Sequence, residues 1–190
     1  ERFGKIDGLG NNAANNPKMD GLQTESSSRL EQFSVTDWHS DLAVGLTGAF
    51  LCAKHYGTAI SSNSTGGSIV NISSDLGLIA PDQRIYQSSS SGTQFSVKPV
   101  SYSVVKTGLI GLTRYLATYW PDRVRCNALC PGGVEAGQSD LFIKEVSSRI
   151  PVGRLAKKNE YQGILVFMLS DLSTYLNGAV IPMDGGRTVW

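Results

Sequence analysis

Apolar positions along this chain change their period several times, and each change marks an element. Leu42, Leu46, Ala49 and Ala53 recur at spacings of three and four, which puts them on one helical face. This predicts a helix from about Thr36, a suitable N-cap, to Tyr56. GGSIVNISS (66–74) is continuously apolar rather than alternating, as in a strand covered on both faces, and two glycines announce it. KPVSYSVVKTGLIGLTRYLATYW (98–120) predicts a long helix that stops before Pro121, which cannot continue it. RVRCNALCPGG (123–133) predicts the next strand, ended by Pro-Gly-Gly. Asn159 with Gln162 resembles a capping box for the helix EYQGILVFMLSD. GAVIPMDGG (178–186) predicts a last strand, and Pro182, which donates no hydrogen bond, assigns it to a sheet edge. At the front, KIDGLGNNAANNP (5–17) reads as a short strand running into a polar turn. Residues 18–37 read as a polar loop, and 75–101 as a long connection that includes SSSSG.

Strands that alternate with helices of ten or more residues imply parallel βαβ units. The expected class is α/β, a Rossmann-like doubly wound parallel sheet in a single domain over residues 1–190. Such sheets bind ligands beyond the carboxyl ends of their strands. NNAANN, SSD and PGG stand at those ends and would converge on one cleft.

Composition narrows the partners. Hydrophobic residues make up 41% of the 190, enough for a core, and 17 Lys plus Arg face 16 Asp plus Glu. That balance gives no electrostatic footprint for nucleic acid or an anionic membrane, and no run reaches the length of a membrane-spanning helix. Cys52, Cys126 and Cys130 include no CxxC pair and fit reduced thiols in a cytoplasmic protein. Cys126 and Cys130 read as small buried hydrophobes. His39 and His55 have no carboxylate spacing around them that would make a metal site. The N-x-S/T matches at Asn63 and Asn71 read as chance, Asn71 lying in a strand expected to be buried.

The candidate chemistry starts with Tyr102 and Lys106, four apart and therefore neighbours on one helix face. A phenol has an unperturbed pKa of roughly 10. A nearby ammonium lowers it and makes the tyrosine a usable acid and base. Y-x-x-x-K also recurs by chance, as a solvated face with a cation–aromatic contact. Its neighbours raise its weight: Ser73 and Ser74 end one strand, Asn11 and Asn12 another, and Pro131-Gly132-Gly133 a third.

Taken in order, NNAA, NISS, YSVVK, PGG and MDGG resemble the short-chain dehydrogenase/reductase family over essentially the whole chain. The resemblance implies an oxidoreductase that uses NAD or NADP and exchanges hydride at a CH–OH or C=O carbon of a small-molecule substrate. It makes Tyr102 the general acid/base and Ser74 the substrate-orienting serine, with Ser73 structural. Lys106 would lower the tyrosine pKa and hold the nicotinamide ribose. Asn12 and Ala13 would contact the cofactor, with Pro131, Gly132 and Val134 forming the turn beside the nicotinamide. It also implies a homodimer or homotetramer paired through the helices containing Leu42–Ala53 and Leu109–Leu116, where Gly108, Gly111 and Ala117 would allow close approach.

Four departures from the family pattern matter. The T-G-x-x-x-G-x-G turn and the first two or three strands have no counterpart here, so the fold is expected to be incomplete at its N-terminus. About 70–90 further residues are expected before Glu1, from ordinary βα unit lengths. The residue that separates NAD from NADP would lie among them. Gly45 stands where the family carries a catalytic asparagine, leaving only a backbone carbonyl to contribute. Ser74 and Tyr102 are 28 positions apart (102 − 74), longer than usual; Tyr86 is nearer, but Ser90 follows it where a lysine would be needed. The extra segment carries Tyr86 and Phe95 and either meets a hydroxyl-rich substrate or forms a surface loop. Finally, Glu135 and Ala136 replace the threonine after P-G-x-V.

The style resembles bacterial members that modify sugars, including flagellin glycans. A reductase of keto acids, acyl thioesters or polyols fits as well. A reading of another class, a non-catalytic dinucleotide sensor or scaffold, keeps the fold but has no need of Ser74, Tyr102 and Lys106 together.

Overall fold

Four short segments form one parallel sheet in the computed structural model, which describes residues 4–15, 28–87 and 96–190. They are β1 (Gly8–Asn11), β2 (Gly67–Ile72), β3 (Val124–Pro131) and β4 (Val180–Met183), hydrogen-bonded in that order. Every pairing is parallel, with Ile69 opposite Cys126 and Cys130 opposite Pro182. Pro182 therefore lies on an edge strand of the described sheet, as its missing N–H requires.

Helices cover both faces, which gives the Rossmann-like α/β class. Alternation along the strands divides the core. Ile69, Cys126, Ala128 and Cys130 face α5 (Val100–Tyr119), packing with Ile110, Leu116 and Ala117. Val70 and Leu129 face the other way, against Tyr161 and Met168 of the segment leading through α7 (Gln162–Leu169). Small Cys and Ala side chains on the α5 side let the long helix lie close. Cys126 and Cys130 are thus buried packing residues, and burial pushes the Cys126 thiol up to about 12. Asn71 is likewise structural: it accepts from Asn11 Nδ2 and donates to Thr113 Oγ1, both at 2.8 Å. Among the described residues no helix is long and apolar enough to cross a membrane.

The helical region between β1 and β2 departs from the expected bounds. It runs from Val35 through Ser61 as α1 (Val35–Leu42), α2 (Gly48–Cys52) and α3 (Thr58–Ser61), joined by π-helical turns at Ala43–Thr47 and Ala53–Gly57. Ser34, not Thr36, is the N-cap, its hydroxyl accepting from Asp37 N. The π turns have a cause in the spacing. Gly45, Ala49, Ala53 and Gly57, all buried, repeat every four residues, a period that drifts by about 40° per step on a 3.6-residue turn. Two wider i→i+5 turns absorb the drift and keep that row inward. Gly45 is fixed by contact: a Cβ there would lie 2.5 Å from Val105 Cγ1. An asparagine would displace the residue beside Lys106. Gly108 is used within the chain in the same way, against Leu46, while nothing within 4 Å would meet a Cβ at Gly111.

At α7 the expected Asn159–Gln162 box gives way to Glu160. Its carboxylate accepts from Lys157 N and pairs with Arg154, both contacts at 2.7 Å, capping a 3₁₀ turn before the helix. A charged acceptor holds a helix start better than an amide.

Replacing Gly45 with Ala is expected to lower the unfolding free energy by about 1–2 kcal/mol, overpacking against Val105 exceeding the helix-propensity gain. In Gly45→Ala/Val105→Ala the loss should be less than the sum of the single losses, measured by guanidinium unfolding.

Candidate active site

Ser73 and Ser74 follow β2 directly, at the carboxyl end of the sheet. Ser73 points inward and donates to the Lys106 carbonyl at 2.7 Å, while Lys106 Nζ donates back to the Ile72 carbonyl at 2.9 Å. These two bonds tie the end of β2 to the second turn of α5. Ser73 is therefore the structural serine. At the start of α5, Ser101 donates to the Asp41 carboxylate and binds α5 to α1.

Ser74, buried, caps the 3₁₀ turn Asp75–Gly77. It donates to Asp75 Oδ1 at 2.8 Å and accepts from Leu76 N at 3.1 Å. Tyr102 lies in the first turn of α5, and its phenol shares the cleft with the Ser74 hydroxyl. Ser74, Tyr102 and Lys106 thus line one cleft of about 450 Å³. Asn12, Pro131, Gly132 and Val134 line it too. Ala13 does not; Ala14 takes that place on the extended chain after β1.

The electrostatics differ from the expectation in one respect. Burial raises the Tyr102 pKa first of all; the nearby Ser74 hydroxyl pulls it down and the Asp75 charge pushes it up again. Lys106 Nζ lies 5.6 Å from the phenol ring centroid. It is itself desolvated, which lowers its own pKa. In the protein alone, desolvation therefore outweighs any lysine effect on the phenol.

Two cationic residues of the cleft have no counterpart in the sequence reading. Lys98, just before α5, places its Nζ 3.8 Å from the Tyr102 ring centroid. Burial lowers its pKa to about 8, with Asp75 acting in the opposite sense. Arg187, in the turn after MDGG, donates from Nη1 to Asp75 Oδ2 at 2.9 Å. The extra segment does reach the cleft: Ile85 and Tyr86 of the short helix α4 (Arg84–Gln87) line it and pack with Val146 of α6 (Asp140–Ser147), Ile150 and Leu155. Phe95 lies outside the described residues.

The cleft also fits part of a nicotinamide cofactor. Lys106, 5% exposed, uses one of its three N–H donors among the described residues, on Ile72, which leaves donors for ribose hydroxyls. Gly132 packs its backbone onto Asp184, where a Cβ would sit 2.8 Å from Cα, so the turn stays low beside the cleft.

A parallel βαβ sheet with serine, tyrosine and lysine side chains meeting at its carboxyl end defines the class of a dinucleotide-binding oxidoreductase fold. A family profile described as enoyl-(acyl carrier protein) reductase matches residues 1–188. An uncharacterized oxidoreductase of Thermotoga maritima is 33% identical over 99% of this chain and 69% of that protein. An NADP-dependent mannitol dehydrogenase of Hypocrea jecorina is 34% identical over 98% of this chain and 63% of its own length. Among solved structures, a gluconate 5-dehydrogenase from Burkholderia cenocepacia in complex with NADP and tartrate superposes with a TM-score of 0.80. It is 26% identical over 100% of this chain and 67% of that one. The chain belongs to the short-chain dehydrogenase/reductase family, whose members are NAD(P)-dependent oxidoreductases. It spans about two thirds of the length of these relatives.

Lys98 supplies a pH test. Its charged form is disfavoured in the fold, so between about 8 and the ordinary lysine value the unfolded chain binds more protons. Stability from this group therefore rises with pH through that window. The stability difference between the wild type and Lys98→Met should shift in favour of the wild type from pH 8 to pH 10, read by denaturant midpoints; a flat difference would refute the assignment.

Proposed function

We propose that the protein is an NAD(P)-dependent dehydrogenase that interconverts an alcohol and its carbonyl on a small, hydroxyl-rich substrate. The convergence of Ser74, Tyr102 and Lys106 in one cleft, drawn from the end of β2 and the first two turns of α5, carries this reading.

In the oxidation direction the Tyr102 oxygen takes the substrate hydroxyl proton; in reduction it returns that proton. Ser74, fixed at its strand end, holds the substrate oxygen beside the phenol. Lys106 offers its remaining donors to the nicotinamide ribose, with Asn12, Ala14 and Pro131–Val134 bounding the rest of that ring system. The nicotinamide, when bound, supplies the two-electron partner, taking hydride from the carbinol carbon or giving it back. Raising the phenol pKa keeps Tyr102 protonated, which favours its service as the acid in carbonyl reduction.

The polyol and sugar-acid substrates in the names of the mannitol and gluconate relatives support a polar substrate. Exposed Phe50, Leu51, Tyr115 and Tyr119 on α2 and α5 support self-association as a homodimer or homotetramer. Free thiols at Cys52, Cys126 and Cys130 support a cytoplasmic setting.

The full-length protein and its Tyr102→Phe variant, assayed by NAD(P)H absorbance, test the role. Loss of the acid/base should lower kcat/KM by about 10²–10⁴-fold while cofactor binding persists. Equal turnover would remove Tyr102 from the chemistry and favour a sensor or scaffold.

A further inference from the structure

Arg187 stands in a fixed place. Gly185 and Gly186 take positive φ values of 67° and 89°, and the Asp184 carboxylate accepts from Gly186 N and Thr188 N at 2.9 Å each. This turn delivers the guanidinium into the cleft that holds Ser74 and Tyr102. The side chain is 10% exposed, and its ion-pair partner Asp75 4%.

The pairing is one-sided. Nη1 donates to Asp75 Oδ2, while Asp75 Oδ1 is taken by the Ser74 hydroxyl and Leu76 N. Among the described residues, Nε and Nη2 of Arg187 have no hydrogen-bond partner. These donors remain open to the cleft rather than sealed in the interior, so an anion entering it can take them directly. The charges lining the cleft lean the same way: Asp75 is the one carboxylate among its described lining residues, against Lys98, Lys106 and Arg187.

We infer that the substrate is a hydroxy acid, or its keto form, whose carboxylate docks on the open Nε/Nη2 edge of Arg187 while its reacting oxygen lies at Ser74 and Tyr102. A guanidinium edge offers two parallel N–H donors that match the two oxygens of a carboxylate. The inference rests on the dehydrogenase reading for the position of the reacting oxygen, not for the anion site. On oxidation the carbinol C–H leaves as hydride to the oxidised nicotinamide and the O–H proton goes to Tyr102; the carboxylate keeps its charge throughout. Arg187 thus sets specificity for the acid over its neutral analogue.

The test pairs four-to-six-carbon hydroxy carboxylates with the alcohols that carry CH₂OH in place of the carboxylate, gluconate with sorbitol among them. Each is titrated by calorimetry into the full-length protein with bound cofactor, and each is assayed for turnover. At least one acid should bind more tightly than its alcohol, and Arg187→Met should cut that preference by roughly 10- to 100-fold. Arg187→Lys, which keeps the charge and loses the fork, should recover part of it. Thermal melts of both variants check that the Asp75 end of the cleft stays folded. The inference is overturned if no acid outbinds its alcohol, if sorbitol 6-phosphate outbinds gluconate, or if Arg187→Met weakens acid and alcohol equally. Acid binding that needs Arg187 without any turnover would retire the dehydrogenase reading and leave the carboxylate site standing.

Discussion

Two hydrogen bonds running in opposite directions between β2 and α5 decide the geometry of everything at the carboxyl end of this sheet. Ser73 reaches forward to the Lys106 carbonyl, and Lys106 reaches back to the Ile72 carbonyl. Each joins a side chain of one element to the backbone of the other, so neither side can slide without leaving a buried polar group unpaired, at a cost of about 1–3 kcal/mol. The close approach needs Gly77, where a Cβ would lie 2.6 Å from Ser73 Oγ. With the clamp closed, the next residue on the strand is Ser74, and one turn back on the helix is Tyr102. Their meeting follows from backbone positions rather than from flexible side chains.

From Ser74 the polar chain continues to Asp75 and Arg187. Ser74 has one proton, and both Asp75 and an ionised Tyr102 would compete for it. Arg187 draws on the same carboxylate from the far side and so bears on how firmly Asp75 holds the serine. The turn after β4, 112 residues away in sequence, is thereby joined to the serine that faces the phenol. Lys98 adds a second cation over the phenol ring, from the segment that lengthens the connection between Ser74 and α5.

The strands and the long helix were legible because their signals are local. A continuous apolar run, a proline that forbids one hydrogen bond and a glycine pair each specify an element without its neighbours. Ser73 and Ser74 could be given different roles from their order at a strand end, and the structure shows Ser73 turned inward as a structural residue. The π turns were hidden: a row repeating every four residues resembles an ordinary amphipathic helix until its drift is followed over three steps. Thr36 satisfied the N-cap pattern as well as Ser34, and only the fold decides which hydroxyl faces the free N–H groups. Arg187 and Lys98 were missed because their place beside Tyr102 is a product of topology. A lysine before a proline and an arginine after two glycines carry no local mark of a shared cleft. The phenol shift went the other way because burial, which the helix pattern alone did not measure, exceeds the effect of a desolvated lysine.

Burial acting against the Ser74 hydroxyl sets the Tyr102 phenol's proton affinity. Titrating Tyr102 by NMR in the cofactor-free protein with ¹³Cζ-labelled tyrosine, using Tyr102→Phe to assign the resonance, measures this balance directly. Ionisation is expected above the ordinary tyrosine value in the wild type, with a further rise in Ser74→Ala, where the stabilising hydroxyl is gone. A Tyr102 that titrates at or below the ordinary value, or one that Ser74→Ala leaves unmoved, would contradict this expectation.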